Sequence, residues 1–139
     1  MAINETEIRV VYADTDAMGV VYYANYIKWF EVGRTEFLRH LGYPYKRIEE
    51  ENTWLPVAEA HCKYKTPARY DDLLVIRTWC SLLKASTVEM SYEIIKKETG
   101  EVCVTGSTKH AVTSSEMKPI NFKKLNPGLH AMVAEAMEK

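Results

Sequence analysis

The chain has 139 residues, of which 47% are hydrophobic, and its 18 basic and 19 acidic residues give a formal net charge of −1. That length suits one domain, 1–139, with a single core. The near-neutral charge gives no general attraction to nucleic acid or to an anionic membrane. No stretch is apolar enough for a membrane span, and no signal-peptide pattern is visible. The cysteines, at 62, 80 and 103, are scattered and predict free thiols, so we expect a cytoplasmic protein.

The first half of the chain predicts one strand and one long helix. Alternation favours a strand over residues 7–13, and a polar turn follows at 14–19. Apolar residues then recur at steps of three and four over 22–41, which predicts an amphipathic helix with Arg34 on its polar face. Gly33 lies in the apolar stripe, where it costs about 1 kcal/mol of helix propensity, and this indicates a close approach of the helix to its packing partner.

The second half of the chain predicts a run of strands and a short helix. The predicted strands cover 55–65, 73–82, 86–97 and 101–113, with a hairpin turn at 98–101 and a helix over 129–137 after Asn126-Pro127-Gly128. In the strand 55–65, polar residues such as Glu59 and His61 alternate with apolar ones, which predicts one polar and one apolar face. One long helix against an antiparallel sheet is an α+β arrangement.

The segment 12–26 holds the residues with the clearest chemical potential. Asp14 and Asp16 lie two residues apart in the turn between the first strand and the long helix. The start of a helix offers unpaired N–H groups and a positive dipole end, which suit a developing oxyanion. A carboxylate beside it could attack a carbonyl or activate water. The pattern therefore indicates acyl transfer to water, although capping and turn chemistry would also explain two aspartates here.

Several stretches resemble the 4-hydroxybenzoyl-CoA thioesterase family, and especially its YbgC-type branch of acyl-CoA thioesterases. The most specific is 14–23, Asp-Thr-Asp-Ala-Met-Gly-Val-Val-Tyr-Tyr, continued by Arg-Thr-Glu at 34–36. Further likeness lies in 64–73, in 84–86 and in 117–119, so the resemblance covers nearly the whole chain. It implies a hotdog fold, in which the antiparallel sheet wraps around one long central helix.

The resemblance also implies an activity and a set of site residues. The activity would be hydrolysis of a small or medium acyl-CoA, without cofactor or metal, in a homodimer or homotetramer with the active site at the subunit interface. Asp16 would be the nucleophile or general base, and the backbone N–H of Tyr23 would polarise the thioester carbonyl. Gly19 and Val20 would lie against the thioester, and Lys84 would face the CoA phosphates.

Two other functions are compatible with the same fold. An acyl-thioester hydratase or dehydratase uses a histidine with an acid, and the Asp16 segment contains no histidine. A non-catalytic acyl-CoA binding module would have no need of a carboxylate beside a helix start. His40, His110 and His130 show no metal-ligand spacing with other histidines or cysteines, so we expect no metal.

Overall fold

Antiparallel strands form one five-stranded sheet in the computed structural model, which describes all 139 residues. In chain order the strands are β1 (Asn4–Arg9), β2 (Val57–Tyr64), β3 (Leu73–Leu83), β4 (Thr87–Lys96) and β5 (Val102–Ala111). Their order in the sheet is β1-β3-β4-β5-β2, so β1 and β2 are its two edges. The three central strands alternate buried and more exposed residues, because one face of the sheet covers the core.

The sheet packs around a 16-residue helix, α1 (Asn25–His40), which contacts both β1 and β3. The shorter helices are α2 (Tyr45–Glu50), α3 (Phe122–Leu125) and α4 (Pro127–Glu138). The apolar stripe of α1 is buried, with Trp29, Phe30 and Phe37 each 2% exposed or less. Each such side chain contributes about 1.5–3 kcal/mol by leaving water. The predicted α+β architecture, an antiparallel sheet around one long helix, is confirmed.

Two of the predicted boundaries before α1 are wrong. The first strand ends at Arg9 instead of residue 13, because Tyr12–Asp14 forms a 3-10 turn in which the Asp14 amide donates to the Val11 carbonyl at 3.0 Å. The long helix begins at Asn25 instead of residue 22. Residues 22–24 therefore form a turn that leads into the helix, and this turn belongs to the candidate site.

The C-terminal helix was predicted with the correct cap, whereas α2 was not predicted. The Asn126 side chain accepts a hydrogen bond from the Leu129 amide at 3.1 Å, and Pro127 occupies the first turn. The six residues of α2 are too few to establish a periodic pattern. Ile48, which is 1% exposed, anchors α2 to the core.

The predicted strand over 55–65 is confirmed as the edge strand β2, but its apolar residues are exposed within one chain. Seven of its eight residues are exposed, and Val57 and Tyr64 retain 52% and 47% exposure. Its only sheet partner is β5, so its other edge carries unpaired backbone N–H and C=O groups. The predicted apolar face therefore has nothing to pack against within one chain.

Gly33 confirms the predicted close approach of the helix to its neighbour. A Cβ at this position would overlap the Thr78 hydroxyl and would lie 2.7 Å from Cγ2 of Ile76. Both residues belong to β3, so the glycine lets α1 lie directly against the central strand. The Thr78 hydroxyl is buried and has no hydrogen-bond partner, and removal of this group would therefore break no hydrogen bond.

Arg34 is buried, contrary to its prediction on the polar face of α1. Only 9% of the residue is exposed, and its guanidinium faces phenols instead of a carboxylate. Its Nε donates to the Tyr45 hydroxyl at 2.9 Å, and one terminal nitrogen donates to the Tyr92 hydroxyl at 3.3 Å. A buried charge is tolerated only when hydrogen bonds replace its hydration. The hydroxyls of Tyr45 and Tyr92 replace part of the hydration of the Arg34 guanidinium, and Tyr92 continues into a buried hydrogen-bond network.

The direction of every hydrogen bond in this buried network follows from His110. Burial lowers the pKa of His110 to about 4, so the imidazole is neutral at pH 7. Its Nδ1 lies 2.9 Å from the Leu55 carbonyl and must carry the proton, because a carbonyl only accepts. Nε2 then accepts from the Thr108 hydroxyl at 2.7 Å, and Thr108 accepts from the Tyr92 hydroxyl at 2.6 Å. The network thus joins α1 to the segment before β2.

His110 should make the unfolding free energy decrease as the pH is lowered from about 6.5 to 4. Its folded pKa of about 4 lies below the unfolded value near 6.5, so in this window the unfolded chain binds the extra proton. The His110 contribution to the unfolding free energy is therefore complete above pH 6.5 and decreases by about 3 kcal/mol on reaching pH 4. Urea unfolding at several pH values measures it. His110→Gln should make the unfolding free energy less dependent on pH in this window. His40→Gln, at an exposed position, is the control and should leave the pH dependence unchanged. An equal pH dependence in the two variants would contradict the assignment to His110.

Candidate active site

A tight loop between the 3-10 turn and α1 holds the Asp16 carboxylate. The Asp16 amide donates to the Val20 carbonyl, and the Gly19 amide donates to the Asp16 carbonyl, both at 2.9 Å. Gly19 has a φ of 77°, in the left-handed region that favours glycine. The loop is anchored to the chain before β3, since the Val21 amide donates to the Ala68 carbonyl at 2.9 Å.

The two aspartates of this segment have different environments. Asp14 is 8% exposed, and its carboxylate accepts a hydrogen bond from the Val11 amide at 3.0 Å. Its backbone carbonyl also accepts from the Asn25 side chain, so Asp14 ties the turn to the helix. Asp16 is half-buried, and one carboxylate oxygen accepts from the Met18 amide at 2.8 Å. The turn-and-cap interpretation therefore explains Asp14, whereas Asp16 keeps a carboxylate oxygen free.

The turn that leads into α1 leaves two backbone amides without acceptors. The Tyr22 amide donates to the Asp14 carbonyl at 2.8 Å, and the Asn25 amide donates to the Tyr22 carbonyl at 2.9 Å. The amides between them, those of Tyr23 and Ala24, donate to no backbone or side-chain atom of the chain. No side chain caps this helix, so its positive dipole end is uncompensated. Two adjacent free N–H groups beside a carboxylate are the components of an oxyanion site.

Asp16 and Tyr23 line one cavity of about 220 Å³, and Ala24 follows Tyr23 in the chain without lining it. Its walls come from the Asp16 loop, the start of α1, the end of β2 and the residues after it, and they are mainly apolar. The lining residues include Asp16, Met18, Val20, Tyr23, Tyr26 and Tyr64. Asp16 is its only carboxylate, and it has no histidine. The structure therefore brings together Asp16, Val20 and Tyr23, with Gly19 in the adjoining turn.

Burial makes two further side chains of the cavity, Cys103 and Tyr64, harder to deprotonate. Burial raises the pKa of Cys103 to about 11, so its thiol is a poor nucleophile. Burial likewise raises the pKa of Tyr64 to about 12. The Tyr64 hydroxyl donates to the Tyr23 carbonyl at 3.1 Å and so fixes the turn that carries the free amides. Neither Tyr64 nor the Ala24 amide was predicted, because both roles depend on contacts between distant segments.

Lys84 lies far from Asp16 within one chain. It occupies the turn between β3 and β4, where its amide donates to the Thr87 carbonyl at 2.8 Å. Asp16 is at the other end of the sheet, where β3 begins at Leu73. At about 3.3 Å per residue, β3 places these two ends about 33 Å apart. Within one subunit, Lys84 and the Asp16 carboxylate therefore lie at opposite ends of the sheet.

No group of three or more His, Cys, Asp or Glu side chains is placed to hold a metal ion. No helix has the length and hydrophobicity that crossing a membrane requires.

Comparison with known proteins places the chain among thioesterases. A sequence model of the Thioesterase-like superfamily matches residues 10–133. YneP of Bacillus subtilis (strain 168) is 35% identical over 98% of this chain and 99% of its own length. Acyl-CoA thioesterase YbgC of Haemophilus influenzae is 35% identical over 84% of this chain and 86% of its own. A solved DHNA-CoA thioesterase from Staphylococcus aureus superposes with a TM-score of 0.92 at 32% identity, covering 99% and 93% of the two chains.

The architecture and the site together define the class of protein. An antiparallel sheet around one central helix, with these neighbours of known structure, is the hotdog fold of thioesterases. The chain belongs to the Thioesterase-like superfamily.

Proposed function

We propose that the chain hydrolyses the thioester of a small or medium acyl-CoA, with Asp16 as nucleophile or general base. The observation that carries the proposal is the position of the Asp16 carboxylate in one cavity with Tyr23, next to two free amides. The relatives YbgC and the staphylococcal enzyme are named for thioesters of CoA, which supports CoA as the carrier.

The free amides have the chemistry needed to stabilise the developing charge. When the thioester carbonyl is attacked, its oxygen becomes negative and needs fixed donors in place of water. The Tyr23 and Ala24 N–H groups provide two such donors, and the dipole of α1 adds a positive potential. Gly19 and Val20 would form the wall against which the thioester lies. Loss of one such donor typically costs about 10²–10³ in kcat.

Asp16 would act on the thioester carbonyl by one of two routes. As nucleophile, it forms an anhydride with the acyl group while the C–S bond breaks and CoA leaves as a thiolate, and water then cleaves the anhydride. As general base, it takes a proton from water, which attacks the carbonyl before the same C–S bond breaks. The raised pKa of Cys103 disfavours a competing thiol nucleophile.

Two observations weigh against the alternative functions. A hydratase or dehydratase would need a histidine beside the acid, and the cavity contains none. A binding module would need neither a carboxylate with a free oxygen nor two unpaired amides.

We further propose that two copies join through β2 to form a homodimer. β2 has an unpaired edge and exposes apolar residues such as Val57 and Tyr64, and pairing with a second copy would cover both. Lys84 could then reach CoA bound at the partner's Asp16. A homotetramer would need additional contacts through the outer face of the sheet. Three reduced cysteines support a cytoplasmic location.

Release of free thiol from acyl-CoA substrates tests the proposed function. We expect the purified protein to release CoA from at least one member of a panel of short, long and aromatic acyl-CoAs, as detected with a thiol reagent. Saturable CoA binding without turnover across the panel would favour a binding module. Conversion of the acyl group without thiol release would favour a hydratase.

A further inference from the structure

The Tyr64 side chain reaches from the end of β2 to the turn that leads into α1. Its hydroxyl donates to the Tyr23 carbonyl at 3.1 Å and so joins residues that lie 41 positions apart in the chain. Its ring packs edge-on with the rings of Tyr23 and Tyr26, with centroids 6.2 and 5.7 Å apart. Edge-to-face aromatic pairs of this kind are stabilising. Two ring contacts therefore direct the Tyr64 hydroxyl at one carbonyl.

The two free amides of the turn belong to peptide groups whose carbonyls are held. The Tyr23 N–H shares a peptide group with the Tyr22 carbonyl, which accepts from the Asn25 amide at 2.9 Å. The Ala24 N–H shares the next peptide group with the Tyr23 carbonyl, which accepts from Tyr64. A trans peptide group is planar and directs its N–H opposite to its C=O, so a held carbonyl fixes the direction of the free N–H. The start of the helix holds the first group locally, whereas the second depends on Tyr64.

The hydrogen bond from Tyr64 also strengthens the amide whose direction it fixes. A carbonyl only accepts, so the hydroxyl must donate, and burial raises the pKa of Tyr64 to about 12, which keeps its proton in place at pH 7. A hydrogen bond to a carbonyl oxygen polarises the whole peptide group, and hydrogen bonds in such a chain strengthen one another by about 10–30% each. The Tyr64 hydroxyl, the Tyr23 carbonyl and the Ala24 amide therefore form a chain that ends in a free donor.

Tyr64 begins the short segment that also holds the Asp16 loop. Its backbone is fixed by the pairing of β2 with β5. Four residues later, the Ala68 carbonyl accepts from the Val21 amide at 2.9 Å, and the Ala68 amide donates to the Tyr26 hydroxyl at 3.2 Å. One segment thus holds both the loop that carries the carboxylate and the start of the helix. Within it, Tyr64 is the residue that contacts a peptide group of the candidate oxyanion site.

We propose that Tyr64 is a positioning residue for thioester hydrolysis, whose hydroxyl holds the Ala24 N–H in place as a second oxyanion donor beside that of Tyr23. This role rests on the proposed thioesterase function. It acts through the peptide group, without contact between the hydroxyl and the reacting atoms. The carbonyl oxygen carries its full negative charge only in the transition state, so loss of this support lowers kcat and leaves KM nearly unchanged.

Steady-state kinetics of Tyr64→Phe test the role, because phenylalanine removes the hydroxyl and keeps the ring with its contacts. The substrate is whichever of acetyl-, butyryl- and benzoyl-CoA the wild type hydrolyses fastest. Complete loss of an oxyanion donor typically costs about 10²–10³ in kcat. Tyr64→Phe weakens one donor without removing it, so we expect kcat to fall about tenfold and KM to change less than about twofold.

Tyr70→Phe is the matched control for this measurement. It makes the same substitution six residues later, at a ring that stacks on Tyr12 with centroids 3.7 Å apart and does not line the Asp16 cavity. We expect this variant to keep the kcat and KM of the wild type. An equal loss of kcat in Tyr70→Phe would show a general effect of removing a hydroxyl and would overturn the role of Tyr64.

Infrared difference spectroscopy reports on the oxyanion donors without turnover. The same acyl-CoA, labelled with ¹³C at its thioester carbonyl, is bound to Asp16→Asn, in which hydrolysis is slow. Donors at the carbonyl oxygen lower its stretching frequency. We expect the further substitution Tyr64→Phe to move this band to higher frequency and Tyr70→Phe to leave it in place. An unchanged band with Tyr64→Phe would show that the hydroxyl does not act on the oxyanion donors.

The outcomes separate the role of Tyr64 from the proposed function. A wild-type protein that hydrolyses none of the thioesters would contradict the proposed function itself. An active wild type with an equally active Tyr64→Phe variant, or a variant altered only in KM, would overturn the role of Tyr64 alone. Circular dichroism and size-exclusion chromatography compare the fold and assembly of each variant with the wild type. If the loss of kcat in Tyr64→Phe came with unfolding or a changed assembly, the hydroxyl would serve stability and the positioning role would be wrong.

Discussion

Replacement of Asp16 by asparagine is expected to lower kcat for thioester hydrolysis about 10³-fold without unfolding the protein. Asparagine keeps the shape of the side chain and an oxygen that can accept from the Met18 amide, so the loop should keep its conformation. It loses the negative charge that both the nucleophile and the general-base routes require. The measurement is thiol release under saturating substrate, together with urea unfolding of both proteins.

Asp14→Asn is the matched control for this prediction. Asp14 lies two residues away but uses its carboxylate to accept from the Val11 amide, and it is nearly inaccessible to a substrate. We expect this variant to lose about 1 kcal/mol of unfolding free energy and to keep most of kcat. A folded Asp16→Asn variant with wild-type kcat, or a larger loss of kcat in Asp14→Asn, would show that the chemistry is assigned to the wrong residue.

The parts of the fold that depend on local periodicity were predictable. The apolar stripe of α1 and the strands β3 to β5 lie close to their predicted ranges, because each buries one face against a core that the same chain supplies. The position of β2 was predicted, but the exposure of its apolar residues was not, because the environment of an edge strand depends on what lies beyond the chain. Arg34 was misplaced for a similar reason, since its phenol partners lie 11 and 58 residues away.

The segment that forms the candidate site was predictable, but the arrangement of its functional groups was not. A turn with Asp16 before a helix start was visible in the sequence. The separation of Asp14 from Asp16 was not, because it depends on a hydrogen bond from Val11 to only one of them. The family resemblance indicated the Tyr23 amide but not the Ala24 amide, since the contact from the Tyr22 amide to the Asp14 carbonyl determines which N–H groups remain unpaired. Such facts arise from tertiary contacts, and no residue pattern encodes them directly.

Replacement of Gly33 by alanine is expected to reduce the unfolding free energy by about 2–3 kcal/mol. On an exposed helix position the same change would stabilise by about 1 kcal/mol, because alanine has the higher helix propensity. Here the added methyl would overlap the Thr78 hydroxyl and crowd Ile76, so α1 must move away from β3 or the strand must shift. Urea denaturation of both proteins at pH 7 measures the difference.

A double-mutant cycle with Thr78→Ala locates the cause of this loss. The Thr78 hydroxyl makes no hydrogen bond, so its removal creates space without leaving a partner unsatisfied. We expect Thr78→Ala to recover about half of the Gly33→Ala loss, a coupling of about 1 kcal/mol, while the contact with Ile76 retains the rest. Thr99→Ala, in the exposed turn after β4, should recover nothing. If the changes in unfolding free energy of Gly33→Ala and Thr78→Ala were additive, the two residues would not be coupled. The contact between α1 and β3 would then not explain the glycine at position 33.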